Sequence, residues 1–348
     1  MTDPSPATLD GPQLPVTAPP RRGPHPVVGF LIRRLAAGVL TLAVVSFLVF
    51  LATNALPGNV AQTVVGRNGS PALIAQLTKQ LGLDRPLLAR YGSWVGGLFH
   101  GDLGQSAVQL TQGADNAPVA GPIGTALHNS AVLALGTLLL LVPLSLLVGT
   151  WSAVRAGRAA DYAVSYTSLV LGALPEFVLG TFLIVVFFAQ LHWLPPVSLV
   201  PPGADPLDDV KALILPILTL LGVSFAFCAR QVRAGVLETL RQDYVSLARL
   251  HGLREWKVRR RYALRNALAP SIQTFAQSIQ YLFGGIIVVE ALFAYPGIGS
   301  MLVQAVLAHD VTAVQAIAFV LAAIFIVINI AADLLVVFVV PKLRTGLA

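Results

Sequence analysis

An all-α membrane protein that crosses the bilayer six times is what this sequence predicts, and three observations carry that reading. Only 11% of its 348 residues are charged while 55% are hydrophobic, against about 25% charge in an average soluble domain. Mean hydropathy is +0.75. Uncharged residues also gather into six runs near the ~20 residues that cross a hydrocarbon core. A soluble fold of this length must dress its surface in charge, so the composition argues against one.

The elements follow in chain order. Residues 1–29 read as a proline-rich, disordered cytoplasmic tail, with eight prolines before residue 27 and almost no large apolar side chains. The first span, 35–56, follows Arg33 and Arg34. It is longer than the roughly 7–15 residue core of a secretory signal, so it reads as an uncleaved anchor. Residues 57–128 form an extracytoplasmic loop with two amphipathic helices. One starts at Pro71, with Ser70 as cap, lays Leu73, Ile74, Leu77 and Leu81 on one stripe and stops at Gly82. The other starts at Pro86 and carries Leu87, Leu88, Tyr91, Trp94, Val95 and Leu98. These pieces either rest on the membrane or cap another protein, or they pack on each other and the span tops.

The second span is 129–154 and the third 163–191, the latter interrupted by Glu176 and kinked by Pro175. The fourth covers 212–229 or a little beyond and contains Pro216. The fifth, 271–294, holds Glu290, and the sixth, 311–340, holds Asp333. With the N-terminus inside, 18 of the 23 Lys and Arg residues fall on the cytoplasmic side. Basic residues resist translocation, so both termini are expected in the cytoplasm.

Chemistry is constrained by what the chain lacks. It has no phosphate-binding Gly-x-x-x-x-Gly-Lys-Ser/Thr loop, no His-Glu-x-x-His zinc helix and no Gly-x-Ser-x-Gly nucleophile elbow. Six scattered histidines contain no i, i+4 pair, and Cys228 stands alone, so no metal ligands and no catalytic residues are assigned. Any driving energy must come from outside the chain. The net charge of +7 would suit nucleic acid in a soluble domain. Here the cations lie between apolar runs, where they set orientation and meet membrane lipid or a cytoplasmic partner, so nucleic acid is not expected.

Residues 241–270, RQDYVSLARLHGLREWKVRRRYALRNALAP, are the most informative segment. Tyr244, Leu247 and Ala248 share one helical face by spacing, Gly252 can end that helix, and a second, arginine-rich helix runs from Arg254 toward Asn266. Such a basic knuckle suits either docking in a partner's groove or binding anionic headgroups. The segment resembles the cytoplasmic coupling loop of binding-protein-dependent ABC transporter permeases, specifically the dipeptide, oligopeptide and nickel subfamily. Asp243, Tyr244, Val245, Ala248, Arg249, Gly252, Leu253 and 263–268 with Pro270 match it, whereas Ser246, Leu247, Leu250, His251 and Tyr262 depart. Further landmarks are Gly82 to Pro86, Gly101 to Ser106, Leu174 to Gly180, Glu290 to Gly299, and Asn329 with Asp333.

That resemblance implies a type I ABC importer permease, in particular the first permease subunit of peptide systems. It would pair with a second homologous permease and with two ATP-binding subunits that hold ATP and magnesium. An extracytoplasmic substrate-binding protein would deliver the cargo: a peptide or, alternatively, nickel, glutathione or haem. The resemblance assigns ATPase coupling to Tyr244, Leu247, Ala248, Arg249, His251, Gly252 and Arg254. Tyr295, Pro296 and Gly297 belong to the binding-protein side.

Isolated acids at membrane depth cost about 2.5–3.5 kcal/mol each and need partners. Glu176 is either a wall group of the translocation path or an acid that fixes the kink. Glu290 reads as a turn anchor, and Asn329 with Asp333, four apart, as a packing pair. The rival from another class is an ATP-independent carrier that uses Glu176, Glu290 and Asp333 as an ion relay.

Overall fold

The computed structural model describes residues 26–54, 65, 70–80, 82–114, 116–201, 203–258 and 265–339. The tail before Pro26, the basic stretch 259–264 and the end with Lys342 and Arg344 lie outside the described residues. So does Leu81 of the predicted stripe.

Helix α1 (Pro26–Asn54) is the first span. A small layer of α2 (Pro71–Gln80), α3 (Leu87–Leu98) and α4 (Ala107–Thr111) follows on one face. The second span is α5 (Ala120–Val154). The third is broken into α6 (Ala159–Ala173) and α7 (Glu176–Ile184), which continues as a π-helical turn, Val185–Gln190. A 3₁₀ turn, Pro206–Asp209, leads into the fourth span, α8 (Val210–Leu240). On the opposite face from α2 to α4, α9 (Asp243–Leu250) and the single turn α10 (Glu255–Lys257) precede the fifth span, α11 (Arg265–Leu292). Short α12 (Ile298–Leu307) connects it to the sixth, α13 (Val311–Val339). Among the described residues five helices are long and apolar enough to cross a membrane, and there are six crossings if the bent pair α6 with α7 counts as one span.

Helix α8 is the hub, packed against α5, α6, α7 and α11. Its apolar window is 67% buried, whereas that of α1 is 17% buried. The difference has a structural cause, because α1 leans on α13 and leaves Val39, Leu40, Leu48 and Leu51 exposed toward lipid. The core joins Leu133 and Leu141 of α5, Leu215 and Leu220 of α8, Leu282 and Val289 of α11, and Phe293 with Tyr295 beyond it. Apolar side chains supply little net drive between helices in lipid, so close backbone approach matters more. At Gly149 of α5, a Cβ would lie 2.8 Å from the Ala229 carbonyl and from Val232 of α8.

Several helices differ from their expected bounds. Helix α1 reaches back to Pro26, into the stretch assigned to the tail. Helix α8 runs to Leu240 rather than ending near 229, through Arg230, Arg233 and Glu238, because Arg233 finds a buried acid (below). The third span is no gentle kink: its halves meet at 106°. Pro175 forces Leu174 into extended backbone at ψ 130°, and Pro175 itself is extended at ψ 149°, so two consecutive residues leave the helical path.

In the loop layer, Gly82 ends α2 as expected. It has φ +61° and the paired bonds Gly82 N–H to Lys79 O and Leu83 N–H to Thr78 O close the helix. Leu77 is buried. On α3, Tyr91 and Trp94 pack with Phe50 and Phe319, but Leu87 and Leu88 are exposed rather than part of a packed stripe.

Candidate coupling and translocation sites

The knuckle after α8 is built on a small core of its own. Val245, Ala248 and Val258 are buried together with Leu240 and Leu253 against them. The packed face of α9 is therefore Val245 with Ala248, and Ala248 borders the face that spacing gives to Tyr244 and Leu247. Those two are outward, with Leu250 and Trp256. The reason lies in the helix screw: positions three apart, 245 and 248, straddle the line facing α8, and 244 and 247 fall beside it. Gly252, at φ +72°, turns the chain, and Arg249 Nε donates to Glu255 Oε1 at 2.9 Å across that corner. His251 Nδ1 lies 2.8 Å from the Leu247 carbonyl. Arg254 opens α10 in extended backbone. The expected arginine-rich helix is described only as the turn Glu255–Lys257 and again from Arg265.

Glu176 stands at the break of the third span, in the first turn of α7 and half-buried. Gly285 of α11 leaves room for its carboxylate, since a Cβ there would come within 3.2 Å of Oε1. The Tyr281 hydroxyl of α11 is beside it. Leu179 and Gly180, from the same Leu174 to Gly180 landmark, are buried against Gly222 and Leu292. One side of α7 is thereby fixed while Glu176 keeps access.

Glu290 is fully buried in a polar knot. Its Oε1 accepts from Ser130 Oγ at 2.5 Å, and Oε2 accepts from Gly299 N–H at 2.8 Å and Ser300 N–H at 3.2 Å. Ser130 also accepts from Ile298 N–H at 2.9 Å. Beside it, Asn129 donates to the Pro296 carbonyl at 2.8 Å and takes the Tyr295 hydroxyl on its own carbonyl at 2.7 Å. A Cβ on Gly297 would overlap the Glu290 carboxylate, which explains why that turn carries glycine. The knot binds the end of α11 and the start of α12 to α5.

In the last span, Asp333 forms an ion pair with Arg34 of α1. Asn329 instead donates to Phe325 O of its own helix at 2.8 Å, so the two do not act on one neighbour. Two acids were missed by sequence reasoning. Asp161 at the start of α6 is buried, accepting from Arg233 Nε at 2.6 Å and Nη2 at 2.8 Å, Ser152 Oγ at 2.5 Å and Gly157 N–H at 3.0 Å. Asp310 caps α13 through Ala313 N–H at 3.2 Å and reaches Ser106 Oγ at 2.5 Å and Ala107 N–H at 3.3 Å of α4. The available signal was an acid at the edge of an apolar run with a guanidinium or a helix start to receive it. No group of three metal-ligating side chains occurs among the described residues.

This helical chain, with five or six candidate crossings, a separately packed knuckle and a polar knot, matches known proteins over nearly its whole length. The family described as binding-protein-dependent transport system inner membrane component matches residues 145–345. The description for the N-terminal part of such membrane components matches 27–139. The chain belongs to this family. It is therefore a transport subunit rather than an enzyme, and a multi-pass protein of the bacterial inner membrane. A putative peptide transport system permease protein of Brucella abortus is 32% identical over 318 residues, covering 91% of this chain and 99% of the relative. A probable D,D-dipeptide transport system permease protein of Escherichia coli is 32% identical over 329 residues, covering 88% and 95%. A glutathione transport system permease protein of Shigella flexneri is 34% identical over 319 residues, covering 91% and 99%. As a permease of this family it works with a substrate-binding protein and the other components of an ABC system.

Proposed function

We propose that this permease is one of two membrane halves of an ATP-driven importer of di- or oligopeptides, with both its termini in the cytoplasm. A second homologous permease completes the pathway, a binding protein delivers the peptide, and two ATPase subunits hold ATP and magnesium. The peptide cargo rests on the relatives' names. Glutathione, a modified peptide, fits the same pathway chemistry.

The observation that supports the coupling role is the knuckle. Val245, Ala248 and Val258 give it a core, so Tyr244, Leu247, Leu250 and Trp256 can face outward without loosening it. Leu247→Asp is expected to weaken ATPase association about 10–100-fold, the effect of losing one buried leucine at an interface. The fold should be unchanged, because Leu247 is 53% exposed. Copurification from detergent measures it. Normal association together with normal uptake after deleting 247–257 would remove the coupling role.

Glu176 is proposed to meet the cationic amine of the peptide in the pathway. Glu176→Gln is expected to lower uptake roughly tenfold, as for loss of one charge-assisted hydrogen bond, with the complex still assembled. Uptake at wild-type rate in vesicles bearing assembled mutant complex contradicts this role. The ion-relay alternative gains no support: Glu290 is sealed by backbone donors and Asp333 is paired with Arg34. No hydrogen-bonded chain links either to Glu176 among the described residues.

A further inference from the structure

A cavity of about 540 Å³ lies where the end of α1, the helices α2 and α3 and the start of α13 converge, on the face opposite α9. Lys79, Arg85 and Arg90 line it, and Asp102 is the one acid among its described lining residues. None of the three cations has an ion-pair partner among the described residues. Arg90 is half-buried, its guanidinium centre 6.0 Å from the Phe50 ring, and desolvation lowers its pKa from the ordinary value. It stays charged nonetheless. Trp94, also in the lining, has a buried indole N–H with no acceptor among the described residues. The geometry thus presents several donors and an excess of positive charge with nothing to receive them among the described residues.

Depth and surroundings narrow the ligand. The wall includes Phe50, near the end of the first span, and Val311, Thr312 and Gln315, at the start of the last. That is the level of lipid headgroups, where Tyr and Trp such as Tyr91 and Trp94 concentrate. From there Val44, Leu48 and Leu51 of α1 form an exposed apolar strip along the span, and Leu88 and Phe99 are exposed on the loop layer. A ligand with an anionic head and a long apolar tail satisfies both surfaces at once.

We propose that this cavity holds the phosphate of an anionic phospholipid, with its acyl chains lying along α1. By the orientation proposed above, the lipid belongs to the outer leaflet. Its phosphate oxygens accept from Lys79, Arg85, Arg90 and the Trp94 indole. The bound lipid then ties α1, which packs mainly on α13, to the loop layer above it.

The test uses the complete complex with its copurifying subunits, in nanodiscs of phosphatidylcholine with phosphatidylglycerol, read by native mass spectrometry. Wild type is expected to retain phosphatidylglycerol in preference to phosphatidylcholine. Lys79→Gln with Arg85→Gln, both at exposed positions, should reduce that retention by roughly 25-fold, about fivefold per cation. The charge-preserving pair Lys79→Arg with Arg85→Lys should retain it, and this keeps the test valid if the neutral pair fails to assemble. Equal retention by neutral and wild-type complexes, or loss in the charge-preserving pair, overturns the proposal. So does saturable binding of inorganic phosphate to the complex in pure phosphatidylcholine without phosphatidylglycerol retention, which would assign the cavity to a free anion.

Discussion

Glu290→Ala is expected to leave the permease largely unfolded in detergent. The carboxylate is fully buried and accepts from Ser130 Oγ and from the Gly299 and Ser300 amides. Removing it strands three buried donors, each costing about 1–3 kcal/mol, so the loss is about 3–9 kcal/mol against a total stability of about 5–15. The turn it holds is also strained, since Ala294 sits at φ +51° where a side chain is disfavoured. Glu290→Gln should be far milder: its oxygen can face the two amides and its NH₂ can donate to Ser130. Gly297→Ala should resemble the alanine variant, because its Cβ occupies the carboxylate's place. Thermal melting of the purified complex separates these cases, and an alanine variant that melts with wild type would show that Glu290 ties nothing together.

How far the sequence could be read depended on the range of the interactions involved. The apolar spans were legible because uncharged length is a local property, and Gly82 as a helix stop was legible because φ > 0 selects glycine. The extent of α8 was not. Arg230 and Arg233 look like the end of a span until Asp161, 72 residues earlier, is seen to neutralise Arg233. The same holds for Asp310, whose role depends on Ser106, 204 residues away. Spacing left the packed face of α9 open, because Tyr244 with Ala248 satisfies it as well as Val245 with Ala248 does. Only the partner surface of α8 chooses between them. The acids were picked by depth in the membrane, which found Glu176, Glu290 and Asp333 but passed over acids at span edges. Depth also said nothing about partners: Asn329 turned to its own helix, and Asp333 to Arg34.

Breaking the Asp161–Arg233 pair is expected to uncouple ATP hydrolysis from uptake as well as to destabilise. Asp161 is 2% exposed and Arg233 29% by side chain. Removing one partner of such a pair costs about 3–5 kcal/mol, whereas replacing both with apolar residues is often neutral. Asp161→Ala should therefore melt well below wild type, and Asp161→Leu with Arg233→Met should recover most of the loss. Transport should not recover with it. Arg233 stands seven residues before the end of α8 at Leu240, about 10 Å of helix rise, and α9 follows within three residues. By the coupling role proposed for the knuckle, a displacement delivered to α9 reaches α8 first, and the fork from Arg233 to Asp161 would hand it to α6, whose far end is the break beside Glu176. An apolar pair packs but lets the helices slide, because dispersion contacts are not directional while a bidentate fork fixes both distance and angle. Proteoliposomes that hydrolyse ATP at near wild-type rate but take up several-fold less substrate per ATP are the expected result for the double variant. A wild-type ratio at restored stability would mean that the pair serves only to hold the fold.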